Sequence, residues 1–131
     1  MIQQEMFMMR MIADCQEREV LLMEHNELLQ QLIPEVVSIY GDLLVSVILY
    51  GSVARGTQTE ESDIDIALML KKEETEDMRE RMTDAVVNLE LEYNKVLSVL
   101  RIDYKQFQLW ENTMPFYKNM KKDGVILWQA A

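Results

Sequence analysis

Apolar residues gather in three short runs, Leu44 to Tyr50, Ile64 to Leu70 and Val96 to Ile102, each too short for a buried helix and the right length for a strand. Between and around them the apolar positions recur every three or four residues. Met1, Met8, Cys15, Leu22 and Leu29 stand at intervals of seven leading into and along residues 3 to 33, with Met11, Ile12, Leu28, Leu32 and Ile33 beside them. That spacing predicts one long helix or two in series, weakened across Gln16 to Glu19 and closed by Pro34. Glu35 to Tyr40 reads as a short helical or turn segment, and Gly41-Asp42 launches the first strand, 43 to 50. A single helical turn from Ser52 to Gly56 and a polar loop, Thr57 to Ser62, lead to the second strand, 63 to 70. Thr75 is placed to cap a helix reaching Tyr93, with Met78, Met82, Ala85, Val86, Leu89 and Tyr93 on its buried face. Asn94-Lys95 ends it, and the third strand, 96 to 102, follows. Lys105 to Glu111 reads as a short helix, Pro115 as the first residue of another through Lys121, and Gly124 as its cap. Val125 to Trp128 is a final strand or a packed tail. Helices alternating with strands around a mixed sheet predict an α/β or α+β sandwich.

At 131 residues the chain has the size of one domain: a helical extension over 1–34 and a core over 35–131. The formal net charge of −10 argues against a protein whose task is to grip nucleic acid, because phosphate contacts need clustered Lys and Arg. It suits a basic partner, although much of the acid lies in Glu73 to Asp77 and Glu90 to Glu92, where a charge run is also an ordinary solvated helix face. Cys15 is the only cysteine, so neither an internal disulfide nor a zinc cluster is expected, and a reducing cytoplasm is the natural setting. No run approaches a membrane span, and the start of the chain lacks a signal-peptide pattern. The methionine-rich stripe of the first helix reads as core, with an interface to a second copy or a partner as the competing reading.

The chemistry sits between the first two strands. Gly51-Ser52 ends an apolar run where a helix can start, leaving free backbone N–H groups that suit a phosphate. Ten residues on, Asp63-Ile64-Asp65 alternates, so both carboxylates share one strand face and the isoleucines take the other. Two converging carboxylates repel unless a cation is shared, and Mg²⁺ favours a few carboxylates completed by substrate phosphates. The bland alternative is an ordinary turn followed by a solvated strand entrance. Neither a Gly-x-x-x-x-Gly-Lys-Ser/Thr loop nor a dinucleotide-binding glycine fingerprint is present.

Leu49-Tyr50-Gly51-Ser52-Val53-Ala54-Arg55-Gly56 followed by Ser62-Asp63-Ile64-Asp65-Ile66 resembles the motif of the DNA polymerase β-type nucleotidyltransferases, and within them the minimal nucleotidyltransferase group. Members of that group are often antitoxins paired with a HEPN-domain ribonuclease toxin. The resemblance implies the compact polymerase β-like fold, with Gly51 and Ser52 on the phosphates of ATP, and Asp63 and Asp65 on magnesium. Arg55 then steadies a phosphate or merely pairs with a surface acid. The superfamily usually carries a third carboxylate on the next long strand, which binds the catalytic metal and takes the nucleophile's proton. Asp103 is the obvious acid there, but it alternates with Leu97, Val99 and Arg101, and the opposite face carries Val96, Ser98, Leu100 and Ile102. If Ser98 faces the pair, the third ligand is missing and the site is slow or a nucleotide-binding remnant.

The activity implied is transfer of AMP from ATP to a tyrosine hydroxyl of a HEPN-type toxin. Two alternatives stand beside it: a module that neutralises its partner by contact alone, and a transferase acting on a small molecule such as an antibiotic. His25 is expected at a surface or interface, and Trp110, Phe116, Tyr117 and Trp128 are expected as core anchors rather than a base-stacking platform.

Overall fold

A computed structural model describes residues 16–56 and 63–131. The stripe positions Met1, Met8, Met11, Ile12 and Cys15 and the loop Thr57 to Ser62 lie outside the described residues, as do the side chains of Leu22 and His25.

Gln16–Tyr40 forms one helix, α1, that runs straight through Pro34. Proline lacks the N–H that would bond one turn back and its ring crowds that carbonyl, which is why the sequence predicts a stop there. Here Pro34 lies on the exposed side, while Leu29, Leu32, Ile33, Val36, Ile39 and Tyr40 are buried on the other. Burial of that stripe on both sides of the proline outweighs one lost hydrogen bond. Leu28, Leu29, Leu32 and Ile33 pack in the same core as the residues that follow the proline.

A 3-10 turn, Gly41–Leu43, leads into β1 (Leu44–Tyr50), and α2 (Gly51–Arg55) follows directly, ended by Gly56 in the left-handed conformation. Next come β2 (Ile64–Leu70), α3 (Glu76–Tyr93), β3 (Leu97–Asp103), α4 (Tyr104–Trp110), α5 (Pro115–Asp123) and β4 (Val125–Gln129). Thr75 caps α3 as its sequence predicts, accepting from the Met78 N–H at 3.1 Å, and Asn94 ends the helix with φ of 51°.

The sheet order is β3-β2-β1-β4. β1 pairs antiparallel with β2 and β4, and β2 pairs parallel with β3, which requires the long crossover that α3 supplies. One face presents Leu44, Val47, Leu49, Ile64, Ile66, Leu68, Leu97, Val125 and Leu127 to α1, α2 and α3. The other carries Ala67, Met69 and Ile102 beneath Tyr104, Phe107, Tyr117 and Met120 of α4 and α5. These two helices cover only part of their face, and the uncovered end is where the Asp pair emerges.

At the opposite end, Glu74 ties three elements together. Its carboxylate accepts a 2.6 Å hydrogen bond from the Tyr40 hydroxyl and pairs with Arg79 and Arg101, each Nε 3.3 Å from Oε1. Arg101 Nε is close enough for an ion pair but is off the angle of a hydrogen bond. Burial, with the Glu74 contact second, pushes the Tyr40 hydroxyl up to about 12.

Candidate active site

Tyr50, Asp65 and Ser98 form a row across three strands. Tyr50 faces Asp65 in the antiparallel β1–β2 register, and Ser98 faces it in the parallel β2–β3 register. Residues level across a sheet point to the same side, so all three project onto the partly covered face. Asp63 stands exposed one step before β2, two residues from Asp65 and therefore on that same face. The Ile64 N–H donates to the Val96 carbonyl at 2.9 Å, which holds the entry to β2 against β3.

Gly51 turns the chain from β1 into α2 with φ of +78°, in the left-handed region that side chains rarely adopt. A Cβ there would run into the Asp65 carboxylate, 3.0 Å from its Cγ. The glycine thus brings the backbone of the Gly-Ser turn directly over the acid. Gly51 and Ser52 are half-buried, and Arg55 is exposed in the last turn of α2.

Electrostatics follow from this crowding. Burial and the neighbouring Asp63 raise the Asp65 carboxyl above its ordinary value, while the Arg55 cation opposes the rise. Burial and Asp65 likewise push the Tyr50 hydroxyl up. The structure brings Gly51, Ser52, Asp63, Asp65 and Arg55 to one place. Tyr50 joins them and is a site neighbour the sequence reading passed over, although its position just before Gly51 at the strand end pointed to it.

Asp103 is not brought there. It lies opposite Leu70, five residues beyond Ser98 and roughly 16 Å along the strand at the usual rise. Its carboxylate caps α4, accepting from the Lys105 N–H at 2.8 Å and the Gln106 N–H at 3.2 Å. The position level with Asp65 is Ser98, so the expectation of Asp103 as third acid is corrected by the register. Among the described residues no group of three His, Cys, Asp or Glu side chains gathers to hold a metal. Asp63 and Asp65 offer hard oxygen donors whose mutual repulsion a divalent cation would relieve, which fits Mg²⁺ held jointly with substrate phosphates.

The aromatic expectations divide. Tyr117 and Trp128 pack against the two cores, whereas Trp110 is 48% and Phe116 42% exposed.

The family model described as "Polymerase beta, Nucleotidyltransferase" matches residues 30–131, most of the chain. The chain belongs to this nucleotidyltransferase family. It is 32% identical over 76 residues to "Putative protein adenylyltransferase MJ0141" of Methanocaldococcus jannaschii, an alignment spanning 58% of this chain and 77% of that protein. A crystal structure of a "putative nucleotidyltransferase from Sulfolobus solfataricus" shares the fold, with TM-score 0.50 and 22% identity over 86% of this chain and 87% of that one. A chain from a crystal structure of a "toxin-antitoxin with AMP-PNP" overlays with TM-score 0.49 and 19% identity, covering 76% of this chain and 72% of that one. The nucleotidyltransferase thus uses a polymerase β-like sheet whose Gly-Ser turn overhangs its paired aspartates.

Proposed function

We propose that this nucleotidyltransferase moves AMP from ATP to a protein hydroxyl, a tyrosine of a HEPN-type toxin, and thereby acts as its antitoxin. The observation that carries the nucleotide part is the packing of Gly51 on Asp65, which sets the Gly-Ser turn and the start of α2 directly against a carboxylate. Ser52 and the N–H groups of the turn would hold the triphosphate, with Arg55 adding positive charge beside Asp65. Mg²⁺, held by Asp63 and Asp65, would neutralise phosphate charge as the acceptor oxygen attacks the α-phosphorus and pyrophosphate leaves. The adenylyl group and the protein acceptor are supported by the likeness to the Methanocaldococcus protein, and the toxin by the motif running from Leu49 to Ile66. The test is to incubate the chain with ATP, Mg²⁺ and a HEPN-type toxin that it neutralises on co-expression, then weigh that toxin. Absence of an added AMP sinks the proposal.

Ser98 favours a second reading. With a hydroxyl rather than a carboxylate level with Asp65, β3 offers no acid there to take the acceptor's proton, as suits neutralisation by contact with slow or no transfer. Toxin still fully silenced by the Asp63→Ala, Asp65→Ala double variant would establish that reading instead.

A further inference from the structure

Phe116 opens α5 immediately after Pro115, and 42% of it remains exposed. Exposed apolar side chains are common, and Leu109, Trp110 and Met114 nearby are also exposed. Phe116 differs because it touches the site. Its ring meets Tyr50 edge to face, with centroids 5.6 Å apart and planes at 89°. Tyr50 is the residue before Gly51 and the cross-strand partner of Asp65. Behind Phe116, Tyr117 closes the other flank, its ring centroid 5.9 Å away and tilted by 54°. The start of α5 is held in place because that helix also packs on α2, the element carrying Ser52 and Arg55. A continuous row therefore runs from the Asp65 carboxylate through the Tyr50 ring to an open aromatic surface.

We propose that Phe116 is the base-binding residue of this nucleotide site, its exposed ring stacking on the nucleobase of a triphosphate anchored at Gly51, Ser52 and Asp65. The inference rests on the nucleotide-transfer reading above and adds what holds the base. Tyr50 acts as the buttress that fixes the Phe116 ring. Stacking is indifferent to the hydrogen-bonding edge of the base, because every base has a π-face, and a phenyl ring offers no group to read that edge. Affinity therefore follows stacking area, with ATP and GTP bound alike and both ahead of CTP and UTP.

Isothermal titration of the full chain, in Mg²⁺, with ATP and separately with inorganic tripolyphosphate tests this. Phe116→Ala is expected to weaken ATP at least about fivefold and leave tripolyphosphate unchanged, while Phe116→Trp keeps ATP binding. Unchanged ATP affinity in Phe116→Ala overturns the assignment. So does an equal loss for both ligands, because a ring that only props the turn alters phosphate binding too. Failure of the unmodified chain to bind either ligand overturns the nucleotide-site reading itself and this proposal with it, an outcome distinct from the other two.

Discussion

Gly51 overlies Asp65 so closely that an added Cβ would press into the carboxylate, 3.0 Å from Cγ and 3.2 Å from the aspartate's own Cβ. The glycine is required twice over, by its φ of +78° and by the acid beneath it. One residue thereby makes the strand-to-helix turn and lets the backbone pack directly on the carboxylate, so geometry needed for the fold is also geometry needed for the site.

Gly51→Ala is accordingly expected to cost about 2–5 kcal/mol, the sum of a left-handed penalty and overpacking. In an Asp65→Ala background the clash with the carboxylate disappears, and the backbone part, about 1–2 kcal/mol, should remain together with the tight 3.2 Å approach to the Cβ that alanine keeps. Urea denaturation of the four proteins in that cycle checks it, and strictly additive losses would refute the direct contact.

Asp65 is held at a cost. Its folded pKa is raised by burial and by Asp63, so its ionised form is disfavoured in the fold, and protonation as pH falls through that raised value relieves the cost. Asp65→Asn should therefore leave the melting temperature at neutral pH unchanged or higher while abolishing Mg²⁺-dependent nucleotide binding. Binding by the unmodified chain should also fade, on acidification, at higher pH than an ordinary aspartate would dictate. A lower melting temperature for Asp65→Asn contradicts the account.

What could be seen in the chain was local. The alternation of Asp63 and Asp65, the Thr75 cap, the Gly56 stop and Pro115 at a helix start each depend on neighbours within a few residues, and each lies where the pattern puts it. What could not be seen was register. Whether Asp103 or Ser98 stands level with Asp65 depends on how two strands separated by an 18-residue helix slide against each other, which no window of sequence contains. Pro34 misleads for a related reason, because the apolar contacts that keep α1 continuous come from elements distant in sequence, α3 foremost. The exposure of Trp110 and Phe116 depends on which sides of two short helices meet the sheet, and seven to nine residues carry too little periodicity to decide that.

Tyr40 gives the fold an alkaline limit. Below pH 10 its hydroxyl is protonated in both folded and unfolded chains and contributes no pH dependence. Between pH 10 and about 12 the unfolded chain releases the proton that the folded chain keeps beside Glu74, so stability falls as pH rises. The loss should be on the order of 2 kcal/mol over that window. Tyr40→Phe should lack this component, and urea midpoints taken at the two ends of the window for both proteins measure it. Equal alkaline losses in the two would remove Tyr40 as the cause.

Ser98→Asp and Asp103→Ala separate the position level with Asp65 from the acid elsewhere on the same strand. Ser98 is half-buried on the face shared with Asp65, so an aspartate there adds a third hard oxygen donor to Asp63 and Asp65. Without metal the added charge repels two others and should lower the melting temperature. Mg²⁺ should then raise it more than in the unmodified chain, because the ion binds the folded site and stabilises it by mass action. Asp103→Ala should lower stability without altering the metal response. Losing the cap on Lys105 and Gln106 should cost about 1 kcal/mol, while the Mg²⁺-induced shift stays unchanged, since Asp103 stands at the far end of β3. Differential scanning calorimetry with and without Mg²⁺ reads both variants. A Mg²⁺ shift abolished by Asp103→Ala, or left unaltered by Ser98→Asp, would mean that the metal is held somewhere other than the row running from Tyr50 through Asp65 to Ser98.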